Sequence, residues 1–363
     1  MRFYIFRFSV NVGLYLLFLF VSVTLMFDGI VGIFHRLDLN GNLKDPLKYY
    51  YARYFRHVDI LTRNIIQYQS DCARYDRFLY YILRTGTCVF KNEEFETMVH
   101  VNSLGFRDDE ISLENSEIIF LGDSMTMGWG VQQEEAFPQV FENITGLNTL
   151  NAGGVGYGTV RQLRTLKKLK LNKTKYIIIQ YSSGYFHENK SFFENGFLEV
   201  SSQENYNEEK EKYESCKKYY PGRYSRVFVN LVSLKIESKI RSLSNKKKVL
   251  TDENMEAKYF VHALEKFING LEKGRLNLSS TKIIVFSVTA YNKNKPKFIN
   301  SLSRLIKGTL LESLVSTVDV SGLFTQEDYF SLDAHLNEKG HKKIARFLSD
   351  KYFLNSIQRK KLS

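Results

Sequence analysis

The sequence predicts an α/β domain built on a mostly parallel sheet, and three observations carry that expectation. Short apolar, often β-branched runs recur from about residue 116: "EIIFLG" (117–122), "NTLNAG" (148–153), "KYIIIQY" (175–181), "TKIIVFSV" (281–288) and "STVDVSG" (316–322). Stretches long enough for crossover helices separate them, such as "GTVRQLRTLKKLKL", whose apolar residues recur at three and four. The third is bulk: 363 residues, 44% hydrophobic and 25% charged, suffice for one large domain with a sizeable core plus appendages. Strands alternating with helices imply a parallel sheet covered on both faces, with ligands at the carboxyl ends of its strands.

The first 34 residues read differently. From Phe8 to Phe27, "FSVNVGLYLLFLFVSVTLMF" contains no acid or base, and about 20 apolar residues cross a hydrocarbon core at about 1.5 Å per residue. A cleaved signal peptide is the alternative, but "FDGIVGIFHRL" offers no small-x-small cleavage site, so residues 1–34 read as an uncleaved single-pass anchor. Arg2 and Arg7 on one side are nearly matched by Arg36 and Lys44 on the other, which leaves the orientation open. Cys72 and Cys88 bracket a short segment that a disulfide staples if the domain lies outside the cytoplasm; three unrelated buried thiols, with Cys216, is the competing reading. The expected localisation is therefore the membrane, with the main domain extracytoplasmic.

Residues 35–113 form a membrane-proximal lead-in rich in tyrosine and arginine, and 114–356 the α/β domain. Within that domain about 190–258 is too long for a plain crossover and reads as an inserted cap. The 51 Lys+Arg against 39 Asp+Glu give +12, a balance that suits anionic partners in general. The lysines are scattered and no base-reading motif accompanies them, so no nucleic-acid partner is expected. No Cys/His spacing suggests a metal. The turn "NAGGVGYGT" fails as a dinucleotide fingerprint, with Thr159 where a glycine is needed, and it lacks the Gly-Lys-Ser/Thr of a P-loop; no cofactor is expected.

Chemistry concentrates in "IIFLGDSMTMGWGV" (118–131). Its glycines either make only a tight strand-to-helix turn, or they present Ser124 as a nucleophile. A serine hydroxyl needs a base to take its proton and an acid to orient that base. "SLDAHLNEKGHKKIARFL" supplies both, because Asp333 and His335 are two apart and in an extended loop point the same way. Asn337 reads as the cap of a final helix, which makes His341 a helical surface or packing residue. The Ser124 N–H and the turn at Gly156 are candidate donors to an oxyanion.

"FLGDSMTMGWGV", "LNAGGVGYGT" and "DAHLNEKGH" resemble the first, second and fifth blocks of the SGNH, or GDSL, hydrolase superfamily, in order, and "HVNSLGFRDDE" (100–110) resembles its lead-in strand and turn. The resemblance covers about residues 100 to 350. It implies a three-layer α/β/α flavodoxin-like domain and an esterase or acyl-transfer mechanism on an acylated small molecule, glycan or lipid. Ser124 would be nucleophile, His335 base, Asp333 its orienting acid, and Gly156 an oxyanion donor. One departure stands out. Where the third block normally places an Asn followed by Asp, "IIIQYSSGYFHEN" has Gly184 and Tyr185, leaving Ser182, Ser183 or Asn189 as substitutes or a catalytically weakened, binding member as the alternative.

Overall fold

The computed structural model describes residues 2–39, 64–92, 94–217, 253–271, 276–289, 297–330 and 333–354, with isolated residues at 42–47 and a broken run over 220–236. The aromatic stretch at 48–63 and most of the insertion from 237 to 252 lie outside them. The chain divides into two compact units, residues 1–63 with 212–248, and 64–211 with 249–363.

In the first unit, α1 (Arg2–Leu39) is one continuous helix. Its stretch Asn11–Phe34 is long and apolar enough to cross a membrane. Leu14, Phe18 and Phe20 are exposed along it, so no protein core covers this face. Length and apolarity alone are shared by spanning anchors and signal sequences.

The second unit begins with two antiparallel hairpins, β1 (Ala73–Asp76) with β2 (Tyr80–Leu83), and β3 (Gly86–Lys91) with β4 (Glu96–Val101). In chain order there follow α2 (Ile111–Asn115), β5 (Ile118–Leu121), α3 (Ser124–Met127), α4 (Phe137–Thr145), β6 (Thr149–Asn151), α5 (Thr159–Leu166) and β7 (Tyr176–Tyr181). Then come α6 (Phe186–Asn195), α7 (Gln203–Lys217), whose residues from Lys212 on belong to the first unit, α8 (Glu253–Asn269), β8 (Lys282–Ser287), α9 (Lys297–Leu305), β9 (Val315–Val318) and α10 (Glu338–Ser349).

Five strands form one parallel sheet in the order β6-β5-β7-β8-β9. Counted along the sheet strands alone this is 2-1-3-4-5, the flavodoxin-like order, whose switch point lies at the first strand. Side chains alternate between the two faces. Ile119, Leu121, Ile177 and Val285 meet α5, α8 and α9, whereas Ile118, Phe120, Ile178 and Phe286 meet α4 and α10. Burial on both faces is why "IIFL" reads as an unbroken apolar run.

Two local readings change. The fifth strand ends at Val318 because the Asp319 carboxylate accepts the Ser321 N–H (2.8 Å) and turns the chain out of the sheet. Residues 253–258, placed within the inserted cap on sequence, start α8, and Ala257 is already in the core. The lead-in contributes strands that composition did not reveal. Cys72 and Cys88 are disulfide-bonded, Cα atoms 5.4 Å apart, tying the start of one hairpin to the other.

The bond closes a loop across 16 residues. Replacing both cysteines by alanine is expected to cost about 3 kcal/mol of stability, read as a lower urea midpoint, with a steeper slope because the unfolded chain is released.

Candidate active site

Just past β5 the chain reverses into α3. A Cβ on Gly122 would stand 1.9 Å from Thr126 Oγ1 and 2.6 Å from Gln180 Oε1, so the strand can approach this turn only without a side chain. Asp123 caps the turn, its carboxylate accepting the Met125 N–H (2.9 Å). Its own N–H donates to Gln180 Oε1 (3.0 Å), and Gln180 on β7 is fixed in turn by donating to the Tyr181 and Val288 carbonyls. Burial pushes the Asp123 carboxyl above its usual range, opposed by the Met125 N–H and by His335. Ser124 is thus the first residue of a braced single-turn helix at the switch point, and it is almost fully buried.

The carboxyl-terminal loop meets it. Tyr329 bridges to Leu336, the Phe330 N–H donates to the His335 carbonyl (3.0 Å), and Asn337 caps α10 by accepting from the Lys339 and Gly340 amides. Between these anchors His335 Nε2 lies 2.6 Å from Ser124 Oγ, and His335 Nδ1 hydrogen-bonds Asp333 Oδ1. Asp333 Oδ2 accepts the Trp129 indole N–H (2.9 Å), and the Asp333 amide donates to Glu94 (2.9 Å). The Trp129 ring stacks on His335 at 4.9 Å between centroids and packs edge-on to Phe90. With one ring nitrogen on a carboxylate and the other on a hydroxyl, the imidazole is set to receive the serine proton.

Behind the turn is a residue that sequence reasoning missed. Arg107 is buried and donates to the Met127, Gly128, Val131 and Met98 carbonyls, holding the chain after α3 to β4. Burial lowers its affinity for a proton to about 10, so the guanidinium remains charged at neutral pH. The sequence signal was an arginine between a glycine turn and two acids, "GFRDD", which does not distinguish a clamp from a surface charge.

The second glycine turn packs against the first. A Cβ on Gly153 would lie 2.4 Å from the Met127 amide nitrogen. Gly156 stands three residues on at φ +74°, its carbonyl accepting from Arg161 (2.5 Å), in the wall of a cavity of about 490 Å³ with Tyr80, Tyr81, Arg161 and Glu188. Among the described residues no hydrogen bond joins Gly156 to Ser124. At the third turn, Gly184 sits in the single 3-10 turn Ser183–Tyr185. Its φ is not positive, and an added Cβ meets only Ser182 Oγ at 3.6 Å. Asn189 does not replace the missing amide, because its Nδ2 is buried and donates to Thr159 Oγ1 (3.0 Å). Ser183 is exposed, whereas Ser182 is half-buried and opposes the upward push of burial on the Asp123 carboxyl. Among the described residues no group of three or more His, Cys, Asp or Glu side chains is arranged for a metal ion.

No protein-family model and no curated protein matches the chain. Among solved structures it is similar to a member of the lipolytic protein G-D-S-L family from Veillonella parvula, at 13% identity over 65% of this chain and 98% of the other, with a TM-score of 0.37. A carbohydrate acetylesterase family member from Sinorhizobium meliloti matches at 10% identity over 65% and 96%, TM-score 0.35. A carbohydrate esterase matches at 15% identity over 67% and 65%, TM-score 0.39. Likeness at this level says nothing about activity.

His341 lies beside this site without belonging to it. Fully buried on α10, it accepts the Phe137 N–H at Nδ1 (3.1 Å), and burial, helped by Arg107 and His335, pushes its imidazole down to about 3 from 6.5. The unfolded chain takes a proton near 6.5 and the folded chain does not. The contribution of neutral His341 is therefore complete above 6.5 and is lost as pH falls toward 3. His341→Gln keeps an acceptor for Phe137 but does not titrate. The stability advantage of the wild type over this variant is expected to shrink below pH 6.5, by up to about 1.4 kcal/mol per pH unit, in urea unfolding at pH 7 and 5.

Proposed function

We propose that this chain is a serine-dependent esterase or acyl-transferring enzyme of the SGNH type, held to a membrane by α1. The observation that carries the reading is the hydrogen-bonded row Ser124–His335–Asp333 at the carboxyl end of β5. Ser124 Oγ attacks the acyl carbonyl carbon while His335 Nε2 takes its proton, giving a tetrahedral oxyanion and an imidazolium. The Asp333 carboxylate stabilises that imidazolium and fixes the tautomer that carries its proton on Nδ1. Trp129 engages the other carboxylate oxygen, so the acid faces the histidine in one orientation. His335 then returns the proton to the departing alcohol. The acyl group on Ser124 passes to water or to another hydroxyl by the reverse sequence.

The oxyanion donors in this reading are the Ser124 and Gly156 amides, without the side-chain amide for which Gly184 leaves no equivalent. An acylated glycan or lipid is the substrate class, favoured by the membrane anchor and the basic chain. The disulfide between Cys72 and Cys88 supports an extracytoplasmic main domain, since such bonds persist in oxidising compartments. Gly184 also motivates the second reading, a protein that binds an acylated ligand or a partner without turnover.

Full-length protein in detergent micelles is expected to be labelled by a fluorophosphonate probe, and Ser124→Ala to lose the label entirely. Labelling retained in Ser124→Ala would remove Ser124 as nucleophile. Absence of both labelling and turnover of short acyl esters in the wild type would favour the binding reading.

Gly184→Asn tests the oxyanion. The backbone there is compatible with asparagine and the space beside it is open. An amide reaching the developing charge is expected to raise ester turnover by up to about 100-fold, read as kcat on a short acyl ester.

A further inference from the structure

Gly156 is half-buried in the wall of the cavity of about 490 Å³, and among the described residues its N–H donates to nothing. An amide in that position is available to a ligand oxygen. A trans peptide is planar and sets its N–H opposite its C=O, so whatever holds the Val155 carbonyl also aims the Gly156 N–H. That carbonyl accepts the Tyr81 hydroxyl (2.7 Å). Tyr81 lies 74 residues earlier on β2 of the lead-in, where it and Leu83 form the buried side of the strand. It is 2% exposed, and burial pushes its hydroxyl well above the usual tyrosine range, which keeps it a donor.

The surrounding contacts keep hairpin and turn in register. The Tyr157 hydroxyl donates back to the Tyr81 carbonyl (2.5 Å), the two rings stand 5.3 Å apart between centroids, and a Cβ on Gly154 would lie 2.4 Å from the Tyr157 ring. On the other side of Gly156, Arg161 donates to the Gly156 carbonyl (2.5 Å) and pairs through Nε with Glu188 (2.6 Å). Glu188 also accepts the Gly158 and Arg161 amides (3.3 and 3.0 Å). The peptides before and after the Gly156 α-carbon are therefore both held at their carbonyls by side chains. The hairpin that supplies Tyr81 begins at Cys72, which is bonded to Cys88 of the next.

We propose that Tyr81 is a positioning residue for catalysis: through the Val155 carbonyl it holds the Gly156 N–H toward the oxyanion that forms when Ser124 attacks an acyl carbon. This rests on reading Ser124 as nucleophile and Gly156 as oxyanion donor. The hydrogen bond acts in two ways. It fixes the peptide plane, and by drawing electron density toward the carbonyl it makes the amide proton a stronger donor. A donor aimed at charge that exists only in the transition state contributes to rate and not to substrate binding, so a peptide released to rock lowers kcat at constant KM.

The test compares full-length wild type with Tyr81→Phe and Tyr157→Phe in detergent micelles, measuring kcat and KM on a short acyl ester, fluorophosphonate labelling and the urea midpoint. Each variant removes one buried hydroxyl from the same contact, but only Tyr81→Phe releases the Val155 carbonyl. Expected for Tyr81→Phe is a kcat lower by about 10-fold, part of the roughly 100- to 1000-fold that loss of a whole donor costs, with KM within about 2-fold of wild type and Ser124 still labelled. Tyr157→Phe is expected to lower the urea midpoint comparably and kcat clearly less. An unchanged kcat in Tyr81→Phe, or an equal loss in both variants, would overturn the positioning role and leave the serine enzyme standing. A Tyr81→Phe defect carried by KM alone would overturn it too, assigning the hydroxyl to substrate binding. A wild type with neither label nor turnover would overturn the enzyme reading and the positioning role together. Should Tyr81→Phe yield no folded protein, 3-fluorotyrosine installed at position 81 decides: its more acidic hydroxyl keeps the bond and polarises the peptide further, so kcat is expected to rise, and a kcat at or below wild type would overturn the role.

Discussion

The buried guanidinium of Arg107 is the constraint on which the rest of the larger unit depends. Removing a charge from water costs several kcal/mol, and here the cost is offset by hydrogen bonds to four carbonyls on two segments. Three of those carbonyls, at Met127, Gly128 and Val131, belong to the chain leaving α3, and the fourth, at Met98, to β4. The arginine therefore fixes where the turn ends and, with it, where Trp129 points. Trp129 in turn orients Asp333, and Asp333 orients His335.

The same pattern recurs at several other buried or half-buried acids among the described residues. Asp333 divides its two oxygens between an indole N–H and an imidazole N–H. Glu188 accepts from Arg161 at its side chain and amide in the wall beside Gly156. Asp28 is saturated by the insertion. Each carboxylate stays where it is because its lone pairs are filled in one geometry, which specifies a conformation more sharply than apolar packing does. Gln180 plays the neutral version of this part, its oxygen turned to the Asp123 turn and its nitrogen to two carbonyls.

A loosely furnished third turn contrasts with the tightly braced serine. Gly184 sits in open space and Asn189 has been committed to Thr159, so side-chain donors around that third turn are few. The close approach of Gly153 to the α3 backbone holds the second turn against the first.

What the sequence by itself determined is what repeats locally. The sheet strands were legible because burial on both faces leaves unbroken apolar runs, and the cap at Asn337 because it is a matter of neighbouring residues. Ser124, Asp333 and His335 were legible as residue types in telling surroundings. The hairpins of the lead-in were not, since four-residue strands such as "ARYD" and "YYIL" are too short to stand out from the tyrosine- and arginine-rich stretch around them. Only the tertiary structure decided that Trp129 reaches Asp333 across 204 residues, that Arg107 clasps the serine turn, that Asn189 is spent elsewhere, and that an acid in the apolar helix caps a segment 194 residues away. The physical reason is common to all four. A buried polar side chain is defined by the partner that satisfies it, and those partners are brought to hydrogen-bond distance by folding, not by their place along the chain.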